Sequence, residues 1–124
     1  MAAPLILIIE DDARIGGLVS EVLREAGYLA ALLPDLNAAR ERGGAGMRPA
    51  AIISDLVVAG AHDPARLAED IDVIFPGVPL TLMTGVPPKR RAFLGVTHHR
   101  ILEKPFELEA LLQAVRSMLG EPGL

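Results

Sequence analysis

The sequence contains no cysteine and no tryptophan, and its only aromatic residues are three Phe and one Tyr among 124. Without cysteine there is no disulfide and no thiolate zinc site, and a reducing compartment is compatible. So few aromatics argue against a base-stacking surface, and a net charge of −4 argues against nonspecific attraction to nucleic acid. No apolar run approaches the roughly 18 residues that cross a bilayer, and the amino terminus lacks a basic stretch followed by a cleavage site. The expectation from these absences is a cytoplasmic protein with no membrane or direct nucleic-acid partner. Hydrophobic residues make up 51% of the chain, enough at this length for a core without covalent staples. One domain is expected over 1–124, with its core at about 5–119.

What is present begins with Leu5-Ile6-Leu7-Ile8-Ile9-Glu10-Asp11-Asp12. Five aliphatic residues without polar alternation read as a strand buried on both faces. The run stops on three adjacent carboxylates, whose repulsion calls for water, a cation or a distant basic group. Acids also suit a helix start, so a cap is the simpler reading of the same residues. Ile15, Leu18, Val19, Val22, Leu23 and Ala26 then recur at helical spacing up to Gly27. Residues 28–33 read as a second strand, and Pro34-Asp35 opens a helix ending near Gly43-Gly44. A third strand over 50–54 runs into Asp55, and a helix follows over 62–75 up to Pro76-Gly77. The fourth strand, 80–84, ends on Thr84, and a short helix is expected over 88–94. The fifth strand, 100–103, ends at Lys104-Pro105, and Leu108, Leu111, Leu112, Val115 and Leu119 stripe a last helix. Strands alternating with helices imply crossover connections and a doubly wound parallel sheet with helices on both faces.

In a parallel sheet all the strand carboxyl ends share one edge, where ligands bind. That edge would gather Glu10, Asp11 and Asp12, then Asp55, Thr84 and Lys104. Singly, Asp55 reads as a cap, Thr84 as a turn residue and Lys104 as a solvated lysine. Together they place polar groups of complementary type at four of five strand ends. Hard oxygen ligands without thiols suit Mg²⁺, with Lys104 balancing the remaining charge. The chemistry that fits is phosphoryl transfer, in which a metal and a cation hold the oxygens of the moving group.

Ile8-Ile9-Glu10-Asp11-Asp12, Ile52-Ile53-Ser54-Asp55-Leu56, Leu82-Met83-Thr84-Gly85 and Glu103-Lys104-Pro105-Phe106 resemble, in order and spacing, the motifs of response-regulator receiver domains of two-component signalling. The resemblance implies a flavodoxin-like five-stranded parallel sheet in the order 2-1-3-4-5. It implies that Asp55 accepts a phosphoryl group from a histidine kinase or phosphotransfer protein. It also implies that Glu10, Asp11, Asp55 and the Val57 backbone carbonyl hold Mg²⁺, with Asp12 their neighbour. By the same resemblance Thr84 is the switch hydroxyl, Lys104 contacts phosphate, and the Lys104-Pro105 bond is cis. The expected product is an interaction module rather than an enzyme, catalysing only its own phosphorylation and slow dephosphorylation. Its downstream protein would meet the fourth helix, fifth strand and fifth helix, with a second copy of the chain as another candidate partner.

Several residues depart from the family pattern. Ile101 stands where the family carries an aromatic or His three residues before the lysine, so the aromatic half of the switch is missing. Val58-Ala59-Gly60 replaces the usual sequence after the acceptor, and Gly85 replaces the more usual Ala. The intervals around Thr84 are slightly short, which implies a trimmed fourth-helix region. Val57 and Val86 cannot position a hydrolytic water, so a long-lived phosphate is expected. Lys89, Arg90, Arg91, His98, His99 and Arg100 read as a solvated basic face or a docking surface for an acidic partner. A competing reading is a degenerate receiver that binds its partner without phosphorylation. Another is a phosphatase-like Mg²⁺ enzyme, which would want an acid two residues beyond Asp55, where Val57 stands.

Overall fold

A computed structural model describes residues 3–61, 63–86 and 100–121. The strands are β1 (Leu5–Ile9), β2 (Leu29–Leu33), β3 (Ala51–Asp55), β4 (Leu80–Thr84) and β5 (Arg100–Glu103). The helices, numbered among the described residues, are α1 (Ala13–Glu25), α2 (Leu36–Gly44), α3 (Leu67–Ile74) and α4 (Leu108–Leu119). The five strands form one parallel sheet in the order β2-β1-β3-β4-β5, the flavodoxin-like order that the sequence motifs imply. The helix expected over 88–94 and the basic run at 89–99 lie outside the described residues.

Alternation along the strands builds two cores. Leu7, Ile9, Ile52 and Leu82 pack with α2 and α3 through Leu36, Ala39, Leu67, Ile71 and Phe75. Ile6, Ile8, Ile53 and Met83 pack on the other side with α1 and α4 through Val19, Leu23, Leu111, Val115 and Met118. Because both faces are covered, side chains on either face of β1 are buried, which is why β1 shows no polar alternation. Each fully buried aliphatic chain contributes about 1.5–3 kcal/mol, and this burial fixes where the strand ends lie. On the α1 side the helix approaches β2 so closely that a Cβ on Gly16 would lie 2.6 Å from Leu32 Cδ1.

The third helical segment differs from the expected 62–75. A 3₁₀ turn, Pro64–Arg66, precedes α3. Asp63 Oδ1 accepts from Arg66 N at 2.9 Å, and Arg66 N also donates to the Asp63 carbonyl at 3.1 Å. Pro64 has no N–H to lose there, so the tight turn suits it, and the regular helix starts only at Leu67. His62, the expected first residue, lies outside the described residues. The second strand starts at Leu29 rather than at Tyr28. Tyr28 N donates to Leu23 O at 3.0 Å, and the Tyr28 hydroxyl donates to Glu121 Oε2 at 2.9 Å.

One polar group in the sheet is poorly served. Among the described residues, Thr81 Oγ1 is the buried side-chain oxygen without a hydrogen-bond partner. It lies on β4 on the same side as Met83, facing the α1–α4 core. Burying a hydroxyl without a partner costs about 1–3 kcal/mol. Thr81→Val, of nearly the same shape, is expected to raise unfolding free energy by about 1 kcal/mol. Urea denaturation checks this, and a destabilised variant would mean that the hydroxyl is satisfied.

Candidate functional site

The carboxyl edge of the sheet collects the acids. Ile9 is the last residue of β1, and Glu10 follows it at 3% exposure, with its backbone N donating to Leu33 O at 3.0 Å. Asp11 is exposed beside it. Asp12 turns away to cap α1, its Oδ1 accepting from Arg14 N at 2.9 Å and Ile15 N at 3.4 Å. Those backbone donors hold the Asp12 carboxyl below its ordinary range. Asp55 is the last residue of β3 itself, so the strand runs one residue past the end at 54 expected from the sequence. Its Oδ1 accepts from Leu56 N at 3.0 Å.

Lys104 joins the two strands' acids. Its Nζ donates to Glu10 Oε2 at 3.1 Å and to Asp55 Oδ1 at 3.2 Å. The approach comes from the β5 side, where Lys104 N donates to Thr84 O at 2.8 Å and ties the ends of β4 and β5 together. The Lys104-Pro105 peptide is cis. Thr84 is 2% exposed, and its Oγ1 accepts from Val86 N at 2.9 Å. Val57 stands on the loop leaving Asp55, 64% exposed.

Glu10, Asp11 and Asp55 each offer a carboxylate oxygen, and these atoms lie within 4.8 Å of one another. Burial pushes the Glu10 carboxyl above its ordinary range; the Asp55 charge adds to this, and hydrogen bonds from Lys104 and Asp12 N only partly offset it. Burial alone would lower the Lys104 pKa, but the bond to Glu10 and the charges of Asp55 and Glu10 outweigh it, and the net shift is upward. Three carboxylates face one ammonium, so the cluster is short of positive charge. A divalent cation with hard-oxygen preference fits that deficit and that donor set.

The structure therefore brings together Glu10, Asp11, Asp55 and Lys104, and sets Asp12 aside as a cap. Thr84 sits at the same sheet edge with its hydroxyl turned to Val86. Sequence reasoning missed the hydrogen bonds from α2 that hold the loop after Asp55. Arg40 Nη2 donates to Gly60 O at 2.9 Å, across twenty residues and without any local pattern to announce it.

Fold and site together define a doubly wound, flavodoxin-like α/β protein with an acidic cluster at its carboxyl edge. No family model matches the chain. Among solved structures, a response regulator receiver protein from Sinorhizobium medicae WSM419 is similar with 27% identity and a TM-score of 0.79, covering 95% of each chain. Chemotaxis protein CheY4 of Vibrio cholerae is 24% identical with a TM-score of 0.78, over 95% of this chain and 100% of that one. The receiver domain of the sensor histidine kinase PA1611 from Pseudomonas aeruginosa PAO1, solved with a magnesium ion coordinated in its active-site cleft, is 23% identical with a TM-score of 0.76, over 97% and 100%. The chain has the fold of response-regulator receiver domains, over nearly its whole length.

Proposed function

We propose that this chain is a phosphoacceptor receiver of two-component signalling, with Asp55 as the acceptor. The observation that carries the reading is the meeting of Glu10, Asp11 and Asp55 within 4.8 Å on a receiver fold, with Lys104 bridging two of the three. Glu10, Asp11, Asp55 and the Val57 carbonyl would hold Mg²⁺. When bound, the ion supplies the positive charge that offsets the acids and the phosphoryl oxygens.

The acceptor step needs little from the protein beyond position and charge. Among the described residues, the hydrogen bonds to the Asp55 carboxylate end on Oδ1, which leaves Oδ2 as the nucleophile. Oδ2 bonds to phosphorus as the P–N bond of a partner's phosphohistidine breaks, and the electron pair stays on the imidazole nitrogen, which takes up a proton. Lys104, already at Asp55, then shares its ammonium with a phosphoryl oxygen. The Thr84 hydroxyl, which accepts from Val86 N, turns its own O–H to donate to another phosphoryl oxygen, and this shifts the balance between two preexisting arrangements of the output face. Among the described residues that face includes β5 and α4, and it binds a downstream protein. The chain turns over nothing but its own phosphate.

Ile101 favours a second reading. It is half-buried against the α2–α3 core, where no aromatic ring can follow Thr84. On that reading the chain binds its partner without phosphorylation.

Incubation with acetyl phosphate and Mg²⁺, followed by intact mass measurement, separates the two. One phosphoryl group per chain is expected on the wild type, none on Asp55→Ala, and none when Mg²⁺ is chelated. Val57 and Val86 flank the acceptor without a polar side chain, so the adduct is expected to last far longer than seconds once donor is removed. Absence of any adduct on a chain that binds Mg²⁺ would favour the second reading.

A further inference from the structure

The loop leaving Asp55 is held from two sides. On the sheet side Leu56 and Val58 are buried in the α2–α3 core, and Leu56 N donates to Met83 O at 2.9 Å. On the other side the first turns of α2 grip its far end. Leu36 N donates to Ala59 O at 3.0 Å, and Arg40 Nη2 donates to Gly60 O at 2.9 Å. Arg40 is aimed by its own Nη1, which donates to Asn37 Oδ1 at 3.1 Å. Asn37 also presses on the loop: a Cβ on Gly60 would lie 3.0 Å from its Oδ1 and 3.2 Å from its backbone N. Gly60 has φ +87°, a conformation that side chains rarely adopt. Val57 lies between these anchors, its backbone direction set by what holds Leu56 behind it and Ala59-Gly60 ahead.

We propose that Arg40 is a positioning residue for the metal, acting through Gly60 to fix the loop on which the Val57 carbonyl is carried. The inference rests on the reading of Val57 as a Mg²⁺ ligand. A backbone carbonyl cannot be aimed by a rotamer, so its direction depends on the hydrogen bonds that hold the loop around it. Arg40 serves this purpose better than lysine, because its fork holds Asn37 with one nitrogen and Gly60 with another.

The test is Mg²⁺ affinity by calorimetric titration at constant ionic strength, on the phosphate-free chain. Arg40→Ala is expected to weaken Mg²⁺ binding about three- to tenfold, at or below the roughly tenfold lower bound for outer-shell partners because it acts through a backbone loop. Arg40→Lys should recover part of that loss, and metal-free thermal unfolding should stay near wild type because the arginine is exposed. Faster amide exchange at residues 57–60 should accompany the loss. Wild-type affinity in Arg40→Ala would overturn the positioning role alone. A wild-type chain that binds no Mg²⁺ would overturn it together with the metal reading beneath it.

Discussion

Lys104→Ala is expected to destabilise the protein by about 2–3 kcal/mol at pH 7, below the 3–5 kcal/mol typical when one partner of a buried pair is removed. The discount reflects side-chain exposures of 22% for Lys104 and 19% for Asp55, which let water screen part of the interaction. Glu10, at 2% side-chain exposure, carries most of the cost. Its carboxyl already sits above the ordinary range because of burial, and Lys104 is the main influence holding it down. Without Lys104 the folded-state pKa rises further while the unfolded value stays near 4.3. The added penalty is therefore complete above the variant's folded pKa and vanishes as pH falls through the raised wild-type folded pKa, where Glu10 is protonated in both proteins. In the wild type the Lys104 ammonium is itself favoured by its acids, so while those acids are ionised its contribution is full up to about pH 10.4 and is lost as pH rises through the higher folded pKa. Lys104→Met separates charge from packing, since the lysine stem lines an apolar groove of about 370 Å³ beside Ile15, Leu18 and Phe106. Urea unfolding of both variants at pH 7 and pH 4 checks the claim. A loss that does not shrink in acid would mean that packing, not the unpaired Glu10, is responsible.

The second large effect follows from the charge deficit. Mg²⁺ that binds the folded state alone stabilises it by about 2.7 kcal/mol at a hundred times its Kd. The wild type should show this gain in thermal unfolding at constant ionic strength, and chelation should reverse it. Asp11→Ala should abolish most of the gain while changing metal-free stability little, because Asp11 is exposed and no strand depends on it. The gain should also weaken as pH falls toward the raised Glu10 pKa, where proton and metal compete for one carboxylate. An undiminished gain in Asp11→Ala would remove the cluster from the metal site, and no gain in the wild type would remove the site itself.

The chain by itself determined the elements and the edge. The aliphatic runs through β1 and into the start of β3 announce strands covered on both sides, and chirality makes the crossovers of such a sheet right-handed. From that it follows that Glu10, Asp11, Asp55, Thr84 and Lys104 end at one edge, because parallel strands share a direction. Asp12 and Asp35 were legible as caps from their position before helical runs, a local matter of one side chain and the next turn's N–H groups. Tertiary structure alone decided the rest. It buried Glu10 but left Asp11 in water, a difference between adjacent residues just past the end of β1 that follows from the packing around each. It brought one lysine to two acids 94 and 49 residues away, and it joined Arg40 to the Gly60 carbonyl. Such contacts depend on how helices seat on the sheet, and no periodicity along the chain encodes them. The acids' neighbourhood was written locally; their partners were chosen by packing.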